Sequence, residues 1–314
     1  MSASVLTTKR SVQSQARLGA LTWFERLGIA VGIPEITLQA DKYFFYRKAE
    51  AELGAVGGLN ISITLIVLVG LYIIWLAKLN QARSSLSGRL IWGIPNLLML
   101  VVTAFSVLVA KNRFLAICDL FLLAQAYLLF FYFANRLRTR RCVVFCVMVF
   151  AGTLVIQGFV CLALRAMGSS AYGREFLFGP ISFIVQSDGR IGGTLSTPTQ
   201  CGSLVALLWL PVLAVNLLSN PGFTRRFTEL ALITGGACLI LTQTRSAIVS
   251  TAVGSLIFGV GLFLRNQLPS RAIKMALAGL IICLIPLLLI IQTRVIGDDG
   301  GSAESRVHLS WIAM

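Results

Sequence analysis

A chain of 314 residues with 57% hydrophobic and 12% charged residues, and a mean hydropathy of +0.84, is not an ordinary soluble domain, where roughly 25% of residues are charged. Its net charge of +15 would suggest nucleic acid in a soluble protein, but here Lys and Arg lie between apolar runs, where they set orientation in a bilayer. The runs are continuously apolar rather than alternating, which excludes a β-barrel and predicts an all-α, polytopic integral membrane protein that does not bind nucleic acid.

In chain order, residues 1–54 form an N-terminal cytoplasmic or interfacial segment carrying Lys9, Arg10, Arg17, Arg26, Lys42, Arg47 and Lys48. No compact apolar core with a small-residue cleavage site opens it, so no cleavable signal peptide is expected. Within it, 18–38 is a weak span interrupted by Glu25 and Arg26. It either crosses or re-enters the membrane, or lies in the interface as an amphipathic helix. Four stronger runs follow between 55 and 164, at 55–77, 90–110, 114–134 and 142–164. Four more lie in the region 165–314, at 201–218, 230–243, 247–264 and 275–291. The expectation is eight spans, or nine with the weak one. Joined, the sixth and seventh runs would make a helix of about 35 residues, or roughly 50 Å, against a hydrocarbon core of roughly 30 Å. The chain is therefore predicted to turn at "TQTRSA", from Thr242 to Ala247.

Alternate loops differ in charge. Lys78, Arg83 and Arg89, then Arg136, Arg138, Arg140 and Arg141, then Arg225 and Arg226, then Arg265, Arg271 and Lys274 fill one set. The other holds Lys111 and Arg113, the long loop 165–200, the Arg245 turn and the stretch after residue 291. The positive-inside rule makes the first set cytoplasmic and the second external. Parity then puts the N-terminus outside despite its basic residues, unless 18–38 crosses.

Arg190 and Arg245 are thereby predicted to bracket the fifth and sixth spans on one external face. A guanidinium stays charged and binds phosphate oxygens bidentately. Gly192, Gly193 and the hydroxyls of Thr194, Ser196, Thr197 and Thr199 would let backbone N–H groups approach an anion at a helix start. The alternative for any arginine near a helix end is snorkelling to headgroups. Context weighs against that at Arg190 and Arg245, and favours it at Arg165, Arg174 and Arg294. Asp119, inside the third run, reads as an ion-pair partner of Lys111 or Arg113 in preference to a proton-handling group.

Of the seven cysteines, Cys118, Cys142, Cys146, Cys161, Cys238 and Cys283 lie within apolar runs and Cys201 opens one. With no C-x-x-C pair and His308 as the single histidine, they read as packing thiols rather than metal ligands or disulfides. No phosphate-binding loop and no zinc motif occurs, and "GDDGG" (297–301) reads as a solvated loop rather than a Mg²⁺ site. Neither a metal nor another cofactor is expected.

The run "RIGGTLSTP" resembles the Arg-x-x-Gly-Thr-like motif that precedes a membrane helix in the bacterial O-antigen ligase and O-antigen polymerase superfamily. Arg190, Gly193, Thr194 and Pro198 match, and Thr199 stands where the usual residue is Asn. "LTQTRSA" is similar to that family's Leu-Thr-x-Ser-Arg-Gly turn, with Arg245 matched, Thr244 in place of Ser and Ser246 in place of Gly. More loosely, "SAESRVHLSW" resembles a Ser-Arg…Trp run, matching Arg306 and Trp311. The resemblance runs from about Gly189 to the end.

The resemblance implies glycan transfer from an undecaprenyl-diphosphate-linked donor to an acceptor hydroxyl, at the outer face of the bacterial inner membrane. O-antigen or exopolysaccharide polymerisation or ligation is the implied setting, with membrane lipids and other polysaccharide-assembly proteins as partners. Arg190 and Arg245 would bind the donor diphosphate, supported by Gly193, Thr194 and Arg306. Family members continue into a large external loop bearing a catalytic histidine. This chain stops at Met314, and His308 does not match that position, so the expectation is a C-terminally incomplete chain with its base beyond Met314. Two alternatives stay open: a transporter or flippase of an anionic lipid-linked substrate, and an inactive truncated membrane subunit.

Overall fold

The computed structural model describes residues 21–38, 42–44, 58–82, 90–137, 139–178, 181–187, 189–195 and 197–264. The predicted run 275–291, the "GDDGG" stretch, Ser196, Arg294, Arg306, His308 and Trp311 lie outside these residues. In order come α1 (Trp23–Leu38), β1 (Lys42–Phe44), β2 (Leu59–Ile61), α2 (Ile63–Ala82), α3 (Leu90–Val109), α4 (Arg113–Arg136) and α5 (Arg140–Ala166). A 3₁₀ turn (Gly168–Ala171) leads to β3 (Glu175–Phe178), β4 (Ile181–Val185), β5 (Ile191–Gly193), α6 (Pro198–Leu218), α7 (Phe223–Thr242) and α8 (Arg245–Leu264). Two compact units result, and the boundary between them falls inside α5, between Thr153 and Leu154.

The protein is mostly helical. Among the described residues, four helices are long and apolar enough to cross a membrane: α4, α5, α6, and α8 over Arg245–Leu262. Shorter apolar stretches occupy Ile63–Lys78 of α2 and Ile94–Val109 of α3. The all-α expectation needs one correction, because connecting segments form short strands. β1 and β2 pair antiparallel with Lys42 opposite Ile61, and β3, β4 and β5 make a three-stranded sheet in that order. This pairing delays α2 to Ile63, where the Ser62 hydroxyl accepts from the Leu65 N–H at 3.2 Å and caps the helix.

Exposure follows the pattern expected of lipid-facing helices. Leu207, Ile233, Ile257, Val102 and Phe105 are exposed, whereas Glu25, Gln157, Asn216 and Arg136 are buried. Water rewards the opposite arrangement, but hydrocarbon does not.

In the first unit, α1 shows this most clearly. Its 16 residues span about 24 Å, short of the hydrocarbon core. Trp23, Phe24, Leu27 and Val31 face out, while Glu25, Ile29, Gly32, Ile33 and Glu35 are buried. The interruption read from Glu25 is in fact a capping box. The Thr22 N–H donates to Glu25 Oε2 at 2.7 Å, and the Glu25 N–H donates back to Thr22 Oγ1 at 3.4 Å. The same carboxylate takes Lys78 Nζ at 2.5 Å, Arg136 Nη2 at 2.6 Å and Nε at 2.9 Å, and the Tyr132 hydroxyl at 3.2 Å. One acid therefore ties α1 to α2 and α4. Gly28 and Gly32 let α1 lie against Val67 and Leu71 of α2.

Asp119 departs from expectation: it is exposed and forms no ion pair with Lys111 or Arg113. Six residues along a helix is 240° around it, so Arg113 and Asp119 face different ways.

In the second unit, α6 packs against both α7 and α8. Small residues set the spacing. A Cβ at Gly158 of α5 would lie 2.5 Å from Thr234 Cβ and 2.6 Å from the Thr234 carbonyl oxygen of α7. At the end of α6, Asn216 Nδ2 donates to Thr228 Oγ1 at 2.9 Å and to the Arg225 carbonyl at 3.2 Å. That end of α7 is polar, with Arg225 paired to Glu229 at 3.0 Å, and α7 begins at Phe223 rather than at residue 230.

Two outcomes are expected. Glu25→Ala removes the buried acceptor that Arg136 and Lys78 share and should cost about 3–5 kcal/mol of stability. Denaturant unfolding in detergent reads this, and an unchanged midpoint would mean the carboxylate is not the tie described. Gly158→Leu should lower the melting temperature more than Gly152→Leu, because a Cβ at Gly152 meets nothing within 4 Å.

Candidate functional site

The site is built at one end of the second unit, where α5 and α7 finish and α6 and α8 begin. The last turn of α5 carries Arg165, whose Nη1 donates to the Tyr172 hydroxyl at 2.9 Å. The Tyr172 ring lies against Gly189, where an added Cβ would be 2.9 Å from Cζ, and Gly189 sits at φ +79°. Only a residue without Cβ fits both the space and the backbone there. Gly189 turns the β4–β5 hairpin: its N–H donates to the Gln186 carbonyl at 3.0 Å, and the Gln186 N–H donates to the Arg190 carbonyl at 2.9 Å. Arg190 is thus fixed at the hairpin's exit.

Its side chain reaches α7. Arg190 Nε donates to the carbonyl of Thr242, the last residue of that helix, at 3.2 Å. A cation at a helix C-terminus meets orphan carbonyls and the negative end of the dipole. The predicted turn follows at once. Gln243 is left-handed (φ 50°), its N–H donates to the Ile240 carbonyl at 3.2 Å, and α8 opens at Arg245. Thr244 is buried, and its hydroxyl donates to the Pro198 carbonyl at 3.0 Å. A Cβ at Gly202 would lie 2.8 Å from Thr244 Cβ, so the start of α6 and the turn are in close contact.

Two hydrogen bonds therefore join the segments that carry Arg190 and Arg245. Arg190 is half-buried, and Arg245 is exposed in the first turn of α8. Arg165 and Arg174 are exposed near the same end, and Glu175 is the acid described there, so this face is positive.

The supporting residues have definite places. Gly193 has φ +66° and is buried. Thr194 is buried too: Gln157 Nε2 donates to its hydroxyl, and its N–H donates to Gln157 Oε1 at 3.5 Å. These two hold the hairpin's exit onto α5. Thr197 caps α6, accepting from the Gln200 N–H at 3.2 Å with Pro198 following, and Thr199 is exposed in the first turn. Arg306 lies outside the described residues.

Sequence reading missed Gln157, which lies mid-helix with no motif around it. It also treated the cysteines singly, whereas Cys161, Cys201 and Cys238 come together beneath the hairpin, their sulfurs all within 4.8 Å of one another. Helix phase, which the linear spacing does not carry, brings them together.

Thr244→Val keeps the shape but removes the bond to Pro198. It should cost about 1 kcal/mol of stability, and limited proteolysis should cut faster between α7 and α8. Unchanged cleavage would show that the turn is held by other contacts. No family model, no curated protein and no solved structure matches this chain.

Proposed function

We propose that this chain is a polytopic enzyme of the bacterial inner membrane, with eight spans or nine counting α1. It transfers a glycan from undecaprenyl diphosphate to an acceptor hydroxyl at the outer face, in O-antigen or exopolysaccharide polymerisation or ligation. The observation that carries the reading is the joining of the Arg190 and Arg245 segments into one positive helix-end site.

The chemistry suits such a site. The acceptor oxygen attacks the anomeric carbon, and its proton passes to a base. The bond from that carbon to the diphosphate oxygen breaks, and undecaprenyl diphosphate leaves with the electron pair. Charge develops on the leaving phosphate, where fixed guanidinium groups act without reorganisation. Arg245 at the start of α8 adds the helix N-terminus to its own charge. Arg190, oriented through Nε by Thr242, adds a second fixed positive charge beside it. The base that takes the acceptor proton is not assigned among the described residues.

The test is turnover of a synthetic undecaprenyl-diphosphate oligosaccharide by the purified protein in detergent, with products read by mass spectrometry. Arg190→Ala and Arg245→Ala should each lower kcat by about 100-fold or more while the protein still inserts. Arg→Lys should recover part of the activity, since charge is kept but the fork is lost. Normal turnover by both alanine variants would sink the assignment. Movement of the donor across vesicles with no new glycosidic bond would make the chain a carrier instead.

A further inference from the structure

We propose that Cys161, Cys201 and Cys238 form a site for one thiophilic metal ion, Cu(I), bound by three sulfurs. The inference is independent of the glycosyl-transfer reading.

The three thiols come from three helices, α5, α6 and α7, separated by 40 and 37 residues of sequence. Cys161 Sγ lies 3.3 Å from Cys238 Sγ, and Cys201 Sγ lies 3.6 Å from it. All three residues have zero exposed surface. Each sits about one turn in from the hairpin end of its helix: Cys161 before Ala166, Cys201 after Pro198 and Cys238 before Thr242. Packing thiols have no need to converge in this way, and Cys118, Cys142 and Cys146 of the first unit form no such trio.

Distance and chemistry agree. A metal about 2.3 Å from each of three sulfurs in a plane holds them about 4.0 Å apart. To reach that spacing, Cys161 and Cys238 would move apart by about 0.7 Å and Cys201 and Cys238 by about 0.4 Å. Thiolate sulfur selects soft ions, Cu(I) and zinc among them. Zinc takes four ligands in structural sites, and among the described residues the group of His, Cys, Asp or Glu side chains gathered here has three members. A site of three sulfurs therefore fits three-coordinate Cu(I) better. Each sulfur ligates as a thiolate, so loading Cu(I) releases the three thiol protons to water, and retention should rise with pH.

Gly193 closes the site from above. A Cβ there would lie 3.3 Å from Cys161 Sγ and 3.5 Å from Cys201 Sγ, so the hairpin backbone rests on the sulfurs.

The experiment loads the full chain, purified in detergent, reduced and oxygen-free, with Cu(I) supplied as its acetonitrile complex. Metal retained after a chelator column is counted by mass spectrometry, and the copper edge is read by X-ray absorption. One Cu(I) per chain with three sulfur ligands is expected. Cys161→Ala, Cys201→Ala and Cys238→Ala should each weaken retention at least tenfold, and Cys118→Ala, Cys142→Ala and Cys146→Ala should not. No retention by the folded wild-type chain would overturn the proposal. So would binding that survives loss of the trio, nitrogen or oxygen ligands at the copper edge, or a Cys161–Cys238 disulfide that takes up no metal once reduced. If an alanine variant does not fold, the wild-type sulfur count still decides: three supports the site, and two or fewer contradicts it.

Discussion

Within hydrocarbon, a polar group that the protein does not satisfy goes unsatisfied, and that constraint organises both units. Glu25 illustrates its strength. The carboxylate has no contact with solvent, yet it accepts from Lys78, Arg136, Tyr132 and both donors of Thr22. Each of those bonds also fixes an element, so one acid sets α1 against α2 and α4. Gln157 does the same for the hairpin exit through Thr194, and Asn216 for the α6–α7 connection through Thr228 and the Arg225 carbonyl. Many large apolar side chains, Leu207, Ile233 and Ile257 among them, are left on the outside.

Close approach supplies the rest of the cohesion. Between helices in lipid there is little hydrophobic driving force, so contact area matters, and small residues provide it. Gly158 against Thr234, Gly202 against Thr244 and Gly254 against Leu210 bring backbones near enough for that. The same closeness locks the turn after α7 to the start of α6. The positive end of the second unit is thus built by packing between helix ends.

Part of this was legible in the sequence. Helix length arithmetic located the break at Thr242–Ala247, because one helix of that length cannot fit the bilayer. Run positions found α3 to α6 to within a few residues, except that α6 begins at Pro198, where Thr197 caps it. The starts of α2 and α7 were harder: α2 waits for β2 to pair with β1, and α7 extends through Arg225, Arg226 and Glu229, which hydropathy alone counts as loop. Glu25 was seen as an interruption, although Thr22-x-x-Glu25 is a capping-box pattern. The hydrogen bonds joining Arg190 to Thr242 and Thr244 to Pro198, and the meeting of the three sulfurs, depend on helix phase and tertiary contact, so no linear pattern carries them.

The central claim is that the Arg190 and Arg245 segments make one anion site, and the most direct measurement of it is equilibrium binding. Undecaprenyl diphosphate and undecaprenol should be titrated onto the protein in nanodiscs at two salt concentrations. The account predicts that the diphosphate binds at least about tenfold more tightly, about 1.4 kcal/mol. The preference should shrink at high salt and be lost when both arginines become alanine. Equal affinity for the two lipids, or a preference that both alanines leave intact, would contradict it.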